Sequence, residues 1–289
     1  MKLTAKAYAK LNLTLDILDT MPNGYHNIET VFQSVSLCDI ITLESGKDKI
    51  SVTCSKKNVP ENEDNICYSA VTQFFKKAGI HDGVSIYIEK HIPEAAGLGG
   101  GSADAASVLL MLNEAYPHTL GVSDIRSIAT SLGADIPFCT VGGTCLATGI
   151  GENLKPLAHC PECDIILIKQ GVKPSTASLY KRYDGEKNPF HPDTAAEILA
   201  LEQGDIRNVA KYVGNCFAPL WGSDIANIKS QITGKGALTA ELTGSGPTVF
   251  GIFKKGEGKA IAEHFRKQYP ETFLCNPTKC GVEIISKTN

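Results

Sequence analysis

The chain has 289 residues, 43% of them apolar and 20% charged, enough for one large or two modest domains with a full core. A formal net charge of −3 supplies no basic field for nucleic acid. No apolar run approaches the roughly 18–20 residues that span a bilayer, so neither nucleic acid nor a membrane is an expected partner.

Residues 5–17 alternate with period two. Ala5, Ala7, Ala9, Leu11, Leu13, Leu15 and Ile17 share one face, and Lys6, Tyr8, Lys10, Asn12, Thr14 and Asp16 the other. The pattern predicts a long half-buried strand with Lys10 and Asn12 side by side on a polar face that, taken alone, reads as solvated. Asn23-Gly24 marks a tight turn. Strands are predicted over 28–37, 39–43 and 51–54, then a helix over 65–79 headed by Asn65 and closed by Gly79. A strand over 84–89 leads into Pro93-Glu94-Ala95-Ala96-Gly97-Leu98-Gly99-Gly100-Gly101-Ser102-Ala103-Asp104-Ala105-Ala106, in which Ser102 opens a helix running to Tyr116. That helix is apolar all round, which predicts burial. Ser123 is expected to cap a short helix ending at Gly133, and Pro137 prevents Gly133-Ala134-Asp135-Ile136-Pro137-Phe138 from continuing it. A strand over 144–148 and the turn Gly149-Ile150-Gly151-Glu152 follow. Composition shifts near 154–156, which sets the expected domains at 1–154 and 155–289. Beyond lie a strand over 164–169, a helix over 175–183 capped by Ser175 or Thr176, and a polar loop to Pro192. Two or three helices start at Thr194, Ile206 and Ile225. A strand over 236–242 enters a second glycine turn, Thr243-Gly244-Ser245-Gly246-Pro247, before a strand over 248–253, a helix over 259–269 and a last strand over 281–285. This mixture without regular βαβ alternation predicts an α+β fold with antiparallel sheets.

The ten cysteines are scattered, and the segment from Met1 to Lys6 has no apolar stretch of the signal-peptide kind, so a reduced, cytoplasmic chain is expected. Cys160-Pro161-Glu162-Cys163 is a CxxC with His159 beside it. Zinc would need a second comparable pair, and Cys275 and Cys280 are spaced differently; no protein metal site is expected.

The segment from Pro93 to Ala106 carries the most chemistry. Four glycines fall within five residues and meet a helix start. Glycine backbone approaches a ligand with no Cβ in the way, and a helix start offers unpaired N–H groups and the positive end of the macrodipole. Together they make an anion site suited to the phosphates of a nucleotide. It is not a P-loop, because no Lys precedes Ser102, and a G-x-G-x-x-G reading fails at Ser102.

With its flanks, the loop resembles the P-x-x-x-G-L-G-S/G-S-A/G-A signature of the GHMP kinases (galactokinase, homoserine kinase, mevalonate kinase and phosphomevalonate kinase). Pro93, Gly97, Leu98, Gly99, Gly101 or Gly100, Ser102 and Ala103 fill it. Lys6-Ala7-Tyr8-Ala9-Lys10-Leu11-Asn12-Leu13 and Leu242-Thr243-Gly244-Ser245-Gly246-Pro247 resemble two further motifs of that family, in the same order. Asn23-Gly24-Tyr25-His26 with Thr30-Val31-Phe32-Gln33, and Gly133-Ala134-Asp135-Ile136-Pro137-Phe138, are similar to the branch acting on a cytidine diphosphate-linked methylerythritol. Met21, Asn23, Thr148 and Ala218 depart from that branch's usual residues.

The resemblance implies a two-domain GHMP kinase fold, a ribosomal protein S5 domain 2-like N-terminal domain followed by a ferredoxin-like α/β domain, in a monomer or homodimer. It implies ATP as phosphoryl donor with Mg²⁺ arriving on the nucleotide. ATP would lie on Asn65, Pro93, Glu94, Ala95, Ala96, Gly97, Leu98, Gly99, Gly100, Gly101, Ser102 and Ala103, with Ser102 reaching phosphate or Mg²⁺. Asp135 would accept the proton of the 2-hydroxyl, with Lys10 favouring the ionised acid and the developing alkoxide. Tyr25 and Tyr180 would sandwich the cytosine, His26 hydrogen-bond its edge, Asn12 touch polyol or diphosphate, and Thr243, Gly244 and Ser245 close the substrate side. The blander readings are a turn carboxylate for Asp135 and packing for the two tyrosines. Tyr25-His26 argues against a homoserine or mevalonate kinase, whose substrates have no base. The presence of both Lys10 and Asp135 argues against a regulatory module that has lost catalysis.

Overall fold

The computed structural model describes residues 1–117, 119–172 and 174–288, arranged as α+β around two sheets. The alternating N-terminal segment is one strand, β1 (Lys2–Thr20), with Ala5, Ala7, Ala9, Leu11 and Leu13 fully buried. It pairs antiparallel with β2 (His26–Lys47) across a turn in which Gly24 takes φ 82°. Two strands were expected at 28–37 and 39–43; the structure makes one. A register shift between Tyr8 and Ala9, opposite Cys38 and Val35, absorbs the irregularity and the ladder resumes beyond it.

β3 (Ser51–Cys54) lies parallel to β4 (Gly83–Glu89), which pairs with β2. Between them α1 (Ile66–Ala78) starts where the Asn65 side chain accepts from the Cys67 N–H, and stops at Gly79 in the left-handed conformation. α2 (Gly100–Ala115) begins two residues earlier than expected: Gly99, at φ 69°, is its N-cap, and Ser102 lies inside the first turn. Its residues from Ala103 to Leu109 are buried against β1, β2 and α1. α3 (Val122–Leu132) starts at Gly121 rather than Ser123, because the Asp124 carboxylate accepts from the Gly121 N–H at 3.4 Å. Pro137 does end that run, then sits in the first turn of α4 (Ile136–Val141), where its missing N–H has no helical partner to lose. β5 (Thr144–Gly149) pairs with β2, and β6 (Asn153–Pro156), which the sequence did not announce, folds back on β5.

Next come β7 (Cys163–Lys169), α5 (Thr176–Tyr183), α6 (Thr194–Gln203), α7 (Ile206–Tyr212), the two-residue β8 (Gly214–Asn215) and α8 (Ser223–Gly234). β9 (Thr239–Leu242), β10 (Thr248–Lys254), α9 (Gly258–Arg266), β11 (Thr272–Cys275) and β12 (Val282–Thr288) complete the chain. β7, β9, β10 and β11 form an antiparallel sheet in the order β11-β7-β10-β9. β7 is buried on both faces. Ile166 and Ile168 pack with α8 and α9 residues, while Ile165 and Leu167 join Ala9, Leu11 and Leu13 of β1. β8 and β12 return to the first sheet, parallel and antiparallel to β1 respectively. Among the described residues no helix is long and apolar enough to cross a membrane.

Candidate active site

The polar face of β1 is not solvated: Lys10 is 4% exposed and Asn12 2%. Both glycine turns close over it. The Lys10 N–H donates to the Leu98 carbonyl at 3.0 Å, and the Asn12 N–H to Thr243 Oγ1 at 3.0 Å. Lys10 Nζ then has three neighbours: Asn12 Oδ1 at 3.1 Å, Asp135 Oδ2 at 3.4 Å and the Phe32 ring, whose centroid is 4.8 Å away. Asn12 Nδ2 donates to Thr30 Oγ1 at 2.8 Å, which fixes the amide so that its oxygen faces the ammonium. Asp135 precedes α4, yet its carboxylate caps no helical N–H and stands partly exposed beside Lys10.

The glycine loop is shaped by contact with these residues. Ala95, Gly97 and Gly99 have φ of 49°, 78° and 69°. A Cβ on Gly97 would lie 2.6 Å from the Thr243 carbonyl oxygen, and one on Gly99 would lie 2.9 Å from Lys10 Cγ. On Gly100 it would meet Ile92 Cγ2 at 3.1 Å and Lys90 Nζ at 3.2 Å. The loop therefore has no room for side chains where it passes between β1 and the second glycine turn. Gly101 differs: its nearest neighbour would be Ile66 Cγ2 at 4.0 Å, so bare backbone there opens on the cleft. Among the described residues no side chain caps α2, which leaves the first N–H groups of a 16-residue helix pointing into this space.

Two supports were not legible in the sequence. Behind the loop, Lys90 Nζ donates to Asp104 Oδ2 at 2.8 Å and to Asp39 Oδ2, while Asp39 Oδ1 accepts from the His91 and Ile92 N–H groups. Burial pulls the Lys90 ammonium down, but Asp104 and Asp39 outweigh it and hold the group above its ordinary value. Burial pushes the Asp104 carboxyl well up. This group ties the N-terminal part of α2 to β2 and to the segment just after β4. Under the second turn, Asn215 Nδ2 donates to the Leu242 and Gly244 carbonyls, each at 2.9 Å.

A cleft of about 700 Å³ runs from Asn65 and Pro93 along the loop, past Lys10, Asn12 and Asp135, to Tyr180, Gly244 and Ser245. Of the residues expected around a nucleotide, Ala96, Leu98 and Ala103 bury their side chains in the core and offer backbone only. Asn65 is committed to its helix and to the Pro60 carbonyl, and Glu94 Oε2 accepts from Asn58 Nδ2. Ser102 lines the cleft directly. A second pocket of about 520 Å³, lined by Asn23, Gly24, Tyr25, His26 and Asp184, shares Ala134, Ile150, Thr176 and Tyr180 with the first. Tyr25 is 61% exposed at its rim. Tyr180 stacks on His26, with centroids 4.6 Å apart and planes at 20°, and meets Phe217 edge-on. Burial pushes the Tyr180 phenol up to about 12. His26 Nε2 lies 2.8 Å from Asp184 Oδ1, a contact not foreseen from sequence. Thr243 is fully buried under Asn12, and Ser245 Oγ is 3.4 Å from Thr176 Oγ1.

The ten cysteines are all unlinked. Among the described residues no group of three His, Cys, Asp or Glu side chains could hold a metal.

The N-terminal domain model of the GHMP kinases matches residues 65–143, and their C-terminal domain model matches residues 198–271. A 4-diphosphocytidyl-2-C-methyl-D-erythritol kinase from Caldicellulosiruptor saccharolyticus is 42% identical over 286 residues, 97% of this chain and 98% of its own. One from Caldanaerobacter subterraneus is 37% identical over 99% of this chain and 100% of its own. A crystal structure of 4-(cytidine 5'-diphospho)-2C-methyl-D-erythritol kinase superposes with a TM-score of 0.81 at 29% identity, covering 96% of this chain and 99% of the other. Homoserine kinase from Cytophaga hutchinsonii shares the fold, with a TM-score of 0.73 at 16% identity over 98% and 97% of the two chains.

Proposed function

The chain belongs to the GHMP kinases, and from that premise we propose that it transfers the γ-phosphoryl group of ATP to the 2-hydroxyl of 4-diphosphocytidyl-2-C-methyl-D-erythritol, in the non-mevalonate route to isoprenoid precursors. The observation that carries the reading is the Lys10–Asp135 pair, 3.4 Å apart, standing where the bare-backbone loop meets the pocket of Tyr25 and His26.

Phosphoryl transfer is mostly positioning and charge neutralisation. The N–H groups at the head of α2 bind the triphosphate, and the ion group behind them keeps that turn from moving. Among the described residues no three His, Cys, Asp or Glu side chains converge on a metal position, and Mg²⁺ fits as a companion of the triphosphate, with the Ser102 hydroxyl as a protein ligand within the cleft. Bound there, the ion would neutralise phosphate charge. Asp135, committed to no helix N–H, takes the hydroxyl proton. Lys10, locked between Asn12 and Phe32 and 3.4 Å from Asp135 Oδ2, meets the substrate oxygen as its charge develops. Tyr25 offers a face for the cytosine and His26 an edge.

A coupled ADP-release assay tests the reading with three acceptors: the cytidyl compound, 2-C-methylerythritol 4-phosphate and homoserine. Turnover is expected with the cytidyl compound alone. Equal or greater turnover with homoserine overturns the substrate, and ATP consumption by none of them overturns the reaction.

A further inference from the structure

The second pocket contains a charged residue to which the reaction above gives no role. Asp184 ends α5, and its carboxylate reaches across to His26 Nε2 at 2.8 Å. An ionised carboxylate only accepts hydrogen bonds, so Nε2 must carry the proton. In a neutral imidazole the other nitrogen then has a bare lone pair. Tyr180 covers one face of the same ring at 4.6 Å. The ring is thus held by its face and by one nitrogen. Among the described residues Nδ1 makes no hydrogen bond, and His26 lines the pocket.

We propose that Asp184 is a positioning residue that sets the base specificity of this pocket: by fixing the His26 tautomer it makes Nδ1 an acceptor, and so selects a base whose edge presents an amino donor over one presenting a carbonyl. The inference rests on the reading of this pocket as the base site. Cytosine carries an exocyclic amine where uracil carries an oxygen. The amine donates to Nδ1; the uracil oxygen would set lone pair against lone pair and leave both groups unsatisfied after water is displaced. The residue that discriminates is therefore one step removed from the base, on an element far from His26 in the chain. An amide at position 184 would remove the constraint, because it can donate to Nε2 as well as accept from it.

The test compares D184N with the wild-type protein on methylerythritol linked through cytidine diphosphate or through uridine diphosphate. It is paired with ¹⁵N chemical shifts of the His26 ring, recorded without substrate at a pH where the imidazole is neutral. Asp184 is half-exposed, so the variant is expected to fold. Wild-type kcat/KM should favour the cytidine compound by about 10- to 100-fold, the effect of one unpaired buried polar group. D184N should narrow that ratio at least about fivefold, and the ring proton should be on Nε2 in the wild type and shared or moved to Nδ1 in D184N. An unchanged ratio in D184N, or a wild-type ring protonated on Nδ1, overturns the proposal. If the wild type phosphorylates neither compound, the reaction assigned above fails, and the ring shifts still decide whether Asp184 sets the tautomer.

Discussion

On the function proposed above, the cleft has a phosphate end and a base end, and the two are built from different materials. At the phosphate end the working surface is backbone, bent by positive φ at Gly97 and Gly99 and backed by side chains that are almost wholly buried: Lys10, Asn12, Lys90, Asp39, Asp104 and Thr243. At the base end it is side chains on a turn and a helix end, with Tyr25 and Asp184 reaching water. A backbone surface cannot be altered by exchanging a residue without breaking the fold, whereas an exposed ring or carboxylate can. On the function proposed above, the chemistry is placed where variation is destructive, and the choice of acceptor where variation is tolerated.

The largest effect should come from D135N. It keeps the shape beside Lys10 but removes the base, and kcat should fall by about 10²–10⁴-fold while ATP binding by calorimetry is retained. Near-normal turnover would end the role given to Asp135. Gly97→Ala comes next. Its Cβ would lie 2.6 Å from a backbone oxygen at φ 78°, so it should lose about 1–3 kcal/mol of stability in denaturant titration and weaken nucleotide binding at least about tenfold. If it bound ATP normally, the rigid end would be less rigid than the packing demands. Tyr25→Ala at the exposed end should leave the KM for ATP alone and raise the KM for the cytidyl acceptor by about 5- to 150-fold, the range for one lost base stack. A fall in kcat as large as that of D135N would erase the distinction between the two ends.

The smallest effect on turnover is expected away from both. Glu197 in α6 is fully buried, its oxygens have no hydrogen-bond partner among the described residues, and burial pushes its carboxyl from 4.5 up to about 8. Below 4.5 folded and unfolded chains both hold the proton, and stability is full. Between 4.5 and 8 only the folded chain holds it, so stability falls as pH rises, and it levels above 8. E197Q should flatten that slope in thermal melts from pH 5 to 8 without changing kcat. A wild-type melting temperature that rises over this window would contradict the burial argument.

Much of this was legible because local patterns coincide with local structure. Period-two alternation gave β1, and Asn65 and Gly79 bracketed α1 as a cap pair should. The glycine run marked a tight backbone turn, although the true helix start was hidden: Gly100 and Gly101 are poor helix formers, and Gly100 lies close against Ile92 and Lys90 while Gly101 faces the cleft. The burial of Lys10 and Asn12 was not legible, since the turns that cover them come from residues near 98 and 243. The same holds for Asp39 with Lys90 and Asp104, for His26 with Asp184, and for the short strands β6, β8 and β11, whose pairing is decided by distant partners.

The pairing of β12 with residues 2–7 of β1 bears on the order of events during folding. Residues 2–7 and 282–288 are neighbours in space but far apart in the chain, so residues 2–7 lack this partner until the two distant segments meet. Closing so long a loop adds little entropy beyond a shorter one but delays the contact. A chain without residues 282–288 would leave residues 2–7 of β1 unpaired on that side, a strand edge of the kind that invites pairing with a neighbouring chain.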